Sequence, residues 1–139
     1  MVVENALRKA RAVPGERVLG SDTAVVVDGR AYGKPQDAAQ AGDYLRLLSG
    51  RTHEVWSGLA VIEDGTERTA AAVTLVTFRA LDPALIEWYL GTGEWQDRAG
   101  AYAVQGRGAA LVERVEGDFW NVVGLPVPEL LRLVPDLLE

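Results

Sequence analysis

The chain has 139 residues, 48% of them hydrophobic and 24% charged, with a formal net charge of −6. That balance fits one globular domain spanning residues 1–139, with enough apolar mass for a single core. The absence of cysteine and the presence of one histidine, His53, exclude disulfides and thiolate or histidine-cluster metal sites. Bases are scattered among acids, which argues against duplex nucleic acid as a partner but leaves room for a small anionic ligand.

The N-terminal stretch MVVENALRKARAV carries Ala6, Ala10 and Val13 at helical spacing, so a helix is predicted over Val3–Val13, ended by Pro14-Gly15. Its charges stand where a signal peptide needs an apolar region. No apolar run approaches the roughly 18 residues of a membrane span. The expectation is a cytoplasmic protein with no membrane partner. Arg17–Val27 reads as a strand and Asp28-Gly29 as a hairpin turn. Gly33-Lys34-Pro35 reads as a loop, followed by a helix over Ala38–Leu48 with Asp37 as its N-cap and Gly50 closing it. His53–Ile62 and Arg68–Phe78 are β-rich and flank Asp64-Gly65, the pattern of a long antiparallel hairpin. Asp82-Pro83 starts a helix that ends near Gly91. The passage RAGAYAVQGRGAA is rich in small residues; a strand over Ala110–Val115 and an amphipathic helix over Pro128–Leu138 close the chain. Helices mixed with hairpin and crossover strands predict an α/β domain built on a mixed β-sheet flanked by helices.

Several residues invite a chemical reading. Asp22 is an acid inside an apolar strand, which is costly unless it is hydrogen-bonded, at an edge or bound to a cation. It fits a strand-end cap as well as a general base or metal-binding carboxylate. Lys34 fits a surface turn, or a cation presented to phosphate by a loop whose glycine allows close approach. Of the 14 basic residues only Lys9 and Lys34 are lysine. A position that keeps lysine in an arginine-rich chain points to a use for a compact charge. His53 is read as a structural hydrogen-bonder, because no acid or nucleophile partner sits at a recognisable spacing. Trp56, Trp88, Trp95 and Trp120 are candidates for core or cleft wall. In DRAGAYAVQGRG, Gln105 is set among small residues and its amide is able to read a nucleobase edge; a tight packing corner is the other reading. NVVGLP, from Asn121, is expected to cap the start of the last helix.

The ordered set SDTAVVVDG, GKPQDA, LSGRTHEVWSGLAV, DRAGAYAVQGRGAALVERVEG and NVVGLP resembles the Maf family of nucleotide pyrophosphatases, from about Ala6 to the C-terminus. The resemblance implies an ITPase-like α/β architecture and hydrolysis of a nucleoside triphosphate to the monophosphate and pyrophosphate with a divalent cation, Mg or Mn. Asp22 matches the family's carboxylate that accepts a proton from the attacking water; whether it also binds metal stays open. Lys34 matches the family's phosphate-contacting lysine, Lys9 aligns with a lysine on the preceding helix and would add positive charge for the substrate, and Thr23 and Gln105 match positions associated with substrate choice. The AGAY-x-x-QG form looks like the branch acting on dTTP and UTP, and the resemblance makes a homodimer plausible. Four positions depart from the family pattern: Trp95 for proline, Arg98 for lysine, Ala103 for glycine and Ser57 for threonine.

Family members also carry, ahead of this region, a strand, a Ser-x-Ser-Pro-Arg-Arg loop that cradles the triphosphate, and a glutamate. None of these is found in this sequence, so the expectation is an N-terminally truncated domain with impaired activity. A start placed downstream of the true one accounts for it, and so does a truncated paralogue that binds nucleotide without turning it over.

Overall fold

The computed structural model describes residues 1–138. In chain order the elements are α1 (Val2–Arg11), β1 (Arg17–Val27), β2 (Arg30–Tyr32), α2 (Ala38–Leu48), β3 (Thr52–Glu63), β4 (Thr66–Phe78), α3 (Pro83–Gly91), β5 (Val112–Glu116), α4 (Phe119–Val123) and α5 (Val127–Leu133). Two short 3-10 turns, Ala99–Ala101 and Arg107–Leu111, lie in the glycine-rich passage between α3 and β5.

The five strands form one sheet in the order β2-β1-β3-β4-β5. The α/β class with flanking helices is as expected, but the mixture of strand directions is not: every pairing is antiparallel. Turn chemistry dictates two of these pairings. Asp28-Gly29 and Asp64-Gly65 each hold two consecutive residues at positive φ, between 50° and 78°. Two such residues make the tight turn that matches strand twist, so β1 must return as β2 and β3 as β4. The helix caps follow the sequence too. The Asp37 carboxylate accepts from Gln40 N–H at 2.8 Å, and Asp82 accepts from Leu85 N–H at 2.8 Å, each satisfying an amide that the helix leaves unpaired.

Several boundaries differ from expectation, among them both strands of the long hairpin, which start earlier at Thr52 and Thr66. α1 stops at Arg11, ahead of Val13. The last strand starts at Val112 because Arg107–Leu111 is wound into a 3-10 turn. α5 ends at Leu133 because Pro135 forces the residue before it out of helical geometry; Val134 sits at φ −130°, ψ 76°.

Helices cover both faces of the sheet. α1 packs Ala6 and Ala10 on Val18 and Ala60. The opposite face buries Val25, Val55, Val76 and Phe78 against Leu45 and Leu48 of α2, Ile86 and Tyr89 of α3, and Tyr102 of the glycine-rich passage. Further along the same face, Leu59 and Val61 meet Leu130 of α5 and Val134. Among the described residues no helix is long and apolar enough to cross a membrane.

His53 lies within this core, 1% exposed. Its ring stands edge-on to Phe78 and Tyr102, with centroids 5.0 and 5.5 Å away, and Nε2 is 2.7 Å from the Tyr102 hydroxyl. Burial lowers its pKa from 6.5 to about 4, and burial likewise raises that of Tyr102. The folded protein therefore holds His53 neutral, while the unfolded chain takes up a proton below pH 6.5. The stabilisation is complete above that pH and is lost as the pH falls towards 4. Wild-type stability, read from urea midpoints between pH 7 and 4.5, is expected to fall with acidification by at most about 1.4 kcal/mol per pH unit from this site. His53→Gln should flatten the slope; an unchanged slope would assign it to other groups.

Candidate active site

The site is built on one strand edge. β2 pairs with β1 only from Val25 to Val27. From Arg17 to Ala24 the outer edge of β1 has no strand partner among the described residues, while its inner edge is paired along β3. An open cleft of about 210 Å3 is lined here by Ser21, Asp22 and Thr23. Neighbouring strand residues point to opposite faces. Asp22 indeed meets α1 on one face, and Thr23 meets Ser57 on the other. Both reach one cleft because the edge between them is open.

On the α1 side, Lys9 Nζ donates to Asp22 Oδ1 at 2.9 Å and to the Ser21 carbonyl at 3.2 Å. The Asn5 amide donates to Asp22 Oδ2 at 3.1 Å. Asn5 and Lys9 stand one turn apart on the same helix face. Each carboxylate oxygen thus has one donor and keeps lone-pair capacity for another. The helix reaches this position because the sheet beneath it is bare. A Cβ on Gly20 would lie 2.2 Å from the Ala6 carbonyl oxygen, and one on Gly58, the register partner of Asp22, would lie 2.4 Å from the Val2 backbone.

The other wall is the glycine-rich passage. The Gly100 N–H donates to the Gly33 carbonyl at 3.1 Å, which ties it to the loop carrying Lys34. Gly100 needs its φ of 69°, and a Cβ there would lie 2.5 Å from Val25. Deeper in, the Ala103 N–H donates to the Tyr89 hydroxyl at 2.9 Å, and that hydroxyl donates to Glu94 at 3.1 Å. Glu94 also accepts from the N–H groups of Arg107 and Gly108. Burial raises the Glu94 pKa, but these donors outweigh it and hold the carboxyl below its ordinary value. The segment bearing Gln105 is thereby clamped at both ends.

The cleft lining divides by chemistry. Lys9, Lys34, Arg98, Asp22 and Asp97 form a charged part; Val55, Tyr102, Ala103, Val122 and Val123 form an apolar part, with Thr23 and Gln105 as its polar groups. Lys34 and Arg98 make no ion pair among the described residues. No cluster of three metal-ligating side chains occurs among the described residues. Among the described residues, Asp22 and Asp97 are the carboxylates that line the cleft. Such a donor set does not cage a metal by itself, but it fits a hard cation that also takes oxygen ligands from phosphate and water.

A cleft lined by both cations and apolar groups, with an amide and a hydroxyl among them, suits a nucleotide. The family model described as "Maf-like protein" matches residues 1–137. The chain belongs to the Maf-like family. It is 49% identical to a dTTP/UTP pyrophosphatase of Symbiobacterium thermophilum over 138 residues, covering 96% of this chain and 71% of the relative. It is 52% identical to one of Moorella thermoacetica, covering 93% and 70%, and 46% identical to one of Pyrococcus furiosus, covering 87% and 64%.

The five site candidates read from the sequence, Lys9, Asp22, Thr23, Lys34 and Gln105, line this one cleft, and none of the four tryptophans does. Asn121 does not cap the last helix. It lies inside α4, fully buried, and its amide nitrogen donates to the Val55 carbonyl and to Thr74 Oγ1 at 3.0 and 2.9 Å. Asn121 thus fastens α4 to β3 and β4, while Pro126, the last residue of NVVGLP, is the N-cap residue of α5 and makes no side-chain cap. Asn5, Glu94 and Asp97 were not foreseen. Helical spacing from Lys9 would have found Asn5; nothing local marks Glu94, whose carboxylate partners apart from Tyr89 lie 13 and 14 residues away along the chain in the corner it clamps.

Gly20→Ala is expected to push α1 off the sheet, since the obstructing atoms are helix backbone. Urea denaturation should show a loss of about 1–3 kcal/mol. An unchanged midpoint would mean that the close approach of helix to sheet is not needed.

Proposed function

We propose that this chain hydrolyses dTTP and UTP to the nucleoside monophosphate and pyrophosphate. The observation that carries this reading is Asp22, oriented by Asn5 and Lys9 at the mouth of a cleft that also presents Lys34 and Gln105. The names of the relatives support the same substrates.

In this reading the triphosphate lies along the charged end and the base against the apolar end. A water attacks the α-phosphorus and its proton passes to Asp22. The new bond is water oxygen to phosphorus, the broken bond joins the α-phosphorus to its bridging oxygen, and pyrophosphate leaves. Lys9, Lys34 and Arg98 are fixed positive charges near the phosphate oxygens, where negative charge develops. A divalent cation held by Asp22 and Asp97 together with the substrate's own phosphates would neutralise further charge. Gln105 offers both a donor and an acceptor to the base.

Pyrophosphate release from dTTP and UTP tests the proposal. Asp22→Asn keeps the shape but removes the base, and the rate is expected to fall about 100- to 10,000-fold. Thermal stabilisation by UTP should survive the substitution. Stabilisation of the wild type by UTP with no pyrophosphate release would instead mark a nucleotide-binding protein without this activity.

A further inference from the structure

Ser57 sits at the back of the cleft, wholly buried on β3 opposite Thr23 in the β1–β3 register. Its hydroxyl has two oxygen neighbours: Thr23 Oγ1 at 2.9 Å and the Asn121 backbone carbonyl at 3.4 Å. The carbonyl only accepts, and Ser57 has one proton. If Ser57 donates to Thr23, its lone pairs face the carbonyl oxygen and one hydrogen bond is made. If Ser57 donates to Asn121, Thr23 must donate to Ser57, and two are made. Burial favours the second arrangement, because an unmatched buried oxygen pair is costly.

The consequence falls on the cleft. With its proton committed inward, Thr23 turns only lone pairs towards a ligand. A phosphate oxygen has nothing to donate to them, so Thr23 is suited to the base rather than to the triphosphate; Val55, Tyr102 and Val122 line the same cleft. A ring N–H suits it. Uracil and thymine carry a hydrogen on N3; cytosine carries a lone pair there. We propose that Ser57, held by the Asn121 carbonyl, is a positioning residue that makes Thr23 an obligate acceptor and so selects pyrimidines bearing an N3–H over cytosine. This inference rests on the pyrimidine triphosphate reading given above.

The test is binding, which needs no turnover. Titration calorimetry with Mg2+ present would compare the non-hydrolysable α,β-imido analogues of UTP and CTP. The wild type is expected to prefer the uridine analogue by about tenfold or more, the worth of one hydrogen bond with its mismatch. In Ser57→Ala the Thr23 hydroxyl is free to turn and donate, so the preference should collapse by about tenfold, with cytidine binding gaining and uridine binding little changed. Ser57→Thr keeps a hydroxyl and should keep the preference. Thr23→Val, which leaves Ser57 in place, should lose uridine affinity without weakening cytidine binding. A preference that survives Ser57→Ala would overturn the role given to Ser57. Equal losses for both analogues would overturn it as well, and would point to a ribose hydroxyl as the donor. A wild type that binds neither analogue, or both equally, would remove the pyrimidine reading itself.

Discussion

The contact on which the site depends is the close seating of α1 on the bare backbone of β1 and β3. Gly20 and Gly58 leave no room for even a methyl group beneath Ala6 and Val2. That proximity brings Asn5 and Lys9 within hydrogen-bonding distance of Asp22, one on each carboxylate oxygen. A helix standing a side chain further out would leave the carboxylate without these two donors and free to rotate. Small residues on both partners, with Ala6 and Ala10 facing Val18 and Ala60, make this seam a satellite core of its own.

The second constraint is the shortness of β2. Its three residues leave most of β1 without an outer neighbour. An open strand edge is ordinarily a liability. Here it is where Asp22 and Thr23, which leave the strand on opposite faces, serve one cleft. The far wall is brought to that edge by backbone rather than side chains: Gly100 bonds to Gly33, and its positive φ turns the chain so that Tyr102, Ala103 and Gln105 follow along the opening. His53 and Phe78 support Tyr102 from below, so the wall is continuous with the main core.

Much of this was readable from local chemistry. The aspartate caps at Asp37 and Asp82 and the two Asp-Gly turns stand where the residues call for them, because a cap or a tight turn is decided within four residues. The α/β class and the grouping of the five candidate residues also followed from ordered motifs. Strand direction was harder: antiparallel pairing of β1 with β3 depends on how α2 returns the chain, which no local signal states. The NVVGLP unit does lead into the last helix at Pro126, but only the packing of α4 on the sheet directs the Asn121 amide to Val55 and Thr74.

The sequence by itself determined the elements, their turns and the chemical types available, since these rest on periodicity, capping and backbone preference over short spans. The tertiary structure alone decided which groups share a proton, a charge or a wall. Lys9 meets Asp22 across 13 positions, Ser57 meets Thr23 across 34, and Asn121 meets Ser57 across 64. Hydrogen-bond direction is a property of such neighbours taken together: each hydroxyl has one proton, and what Thr23 offers a ligand is set by what the buried side of the sheet has already taken.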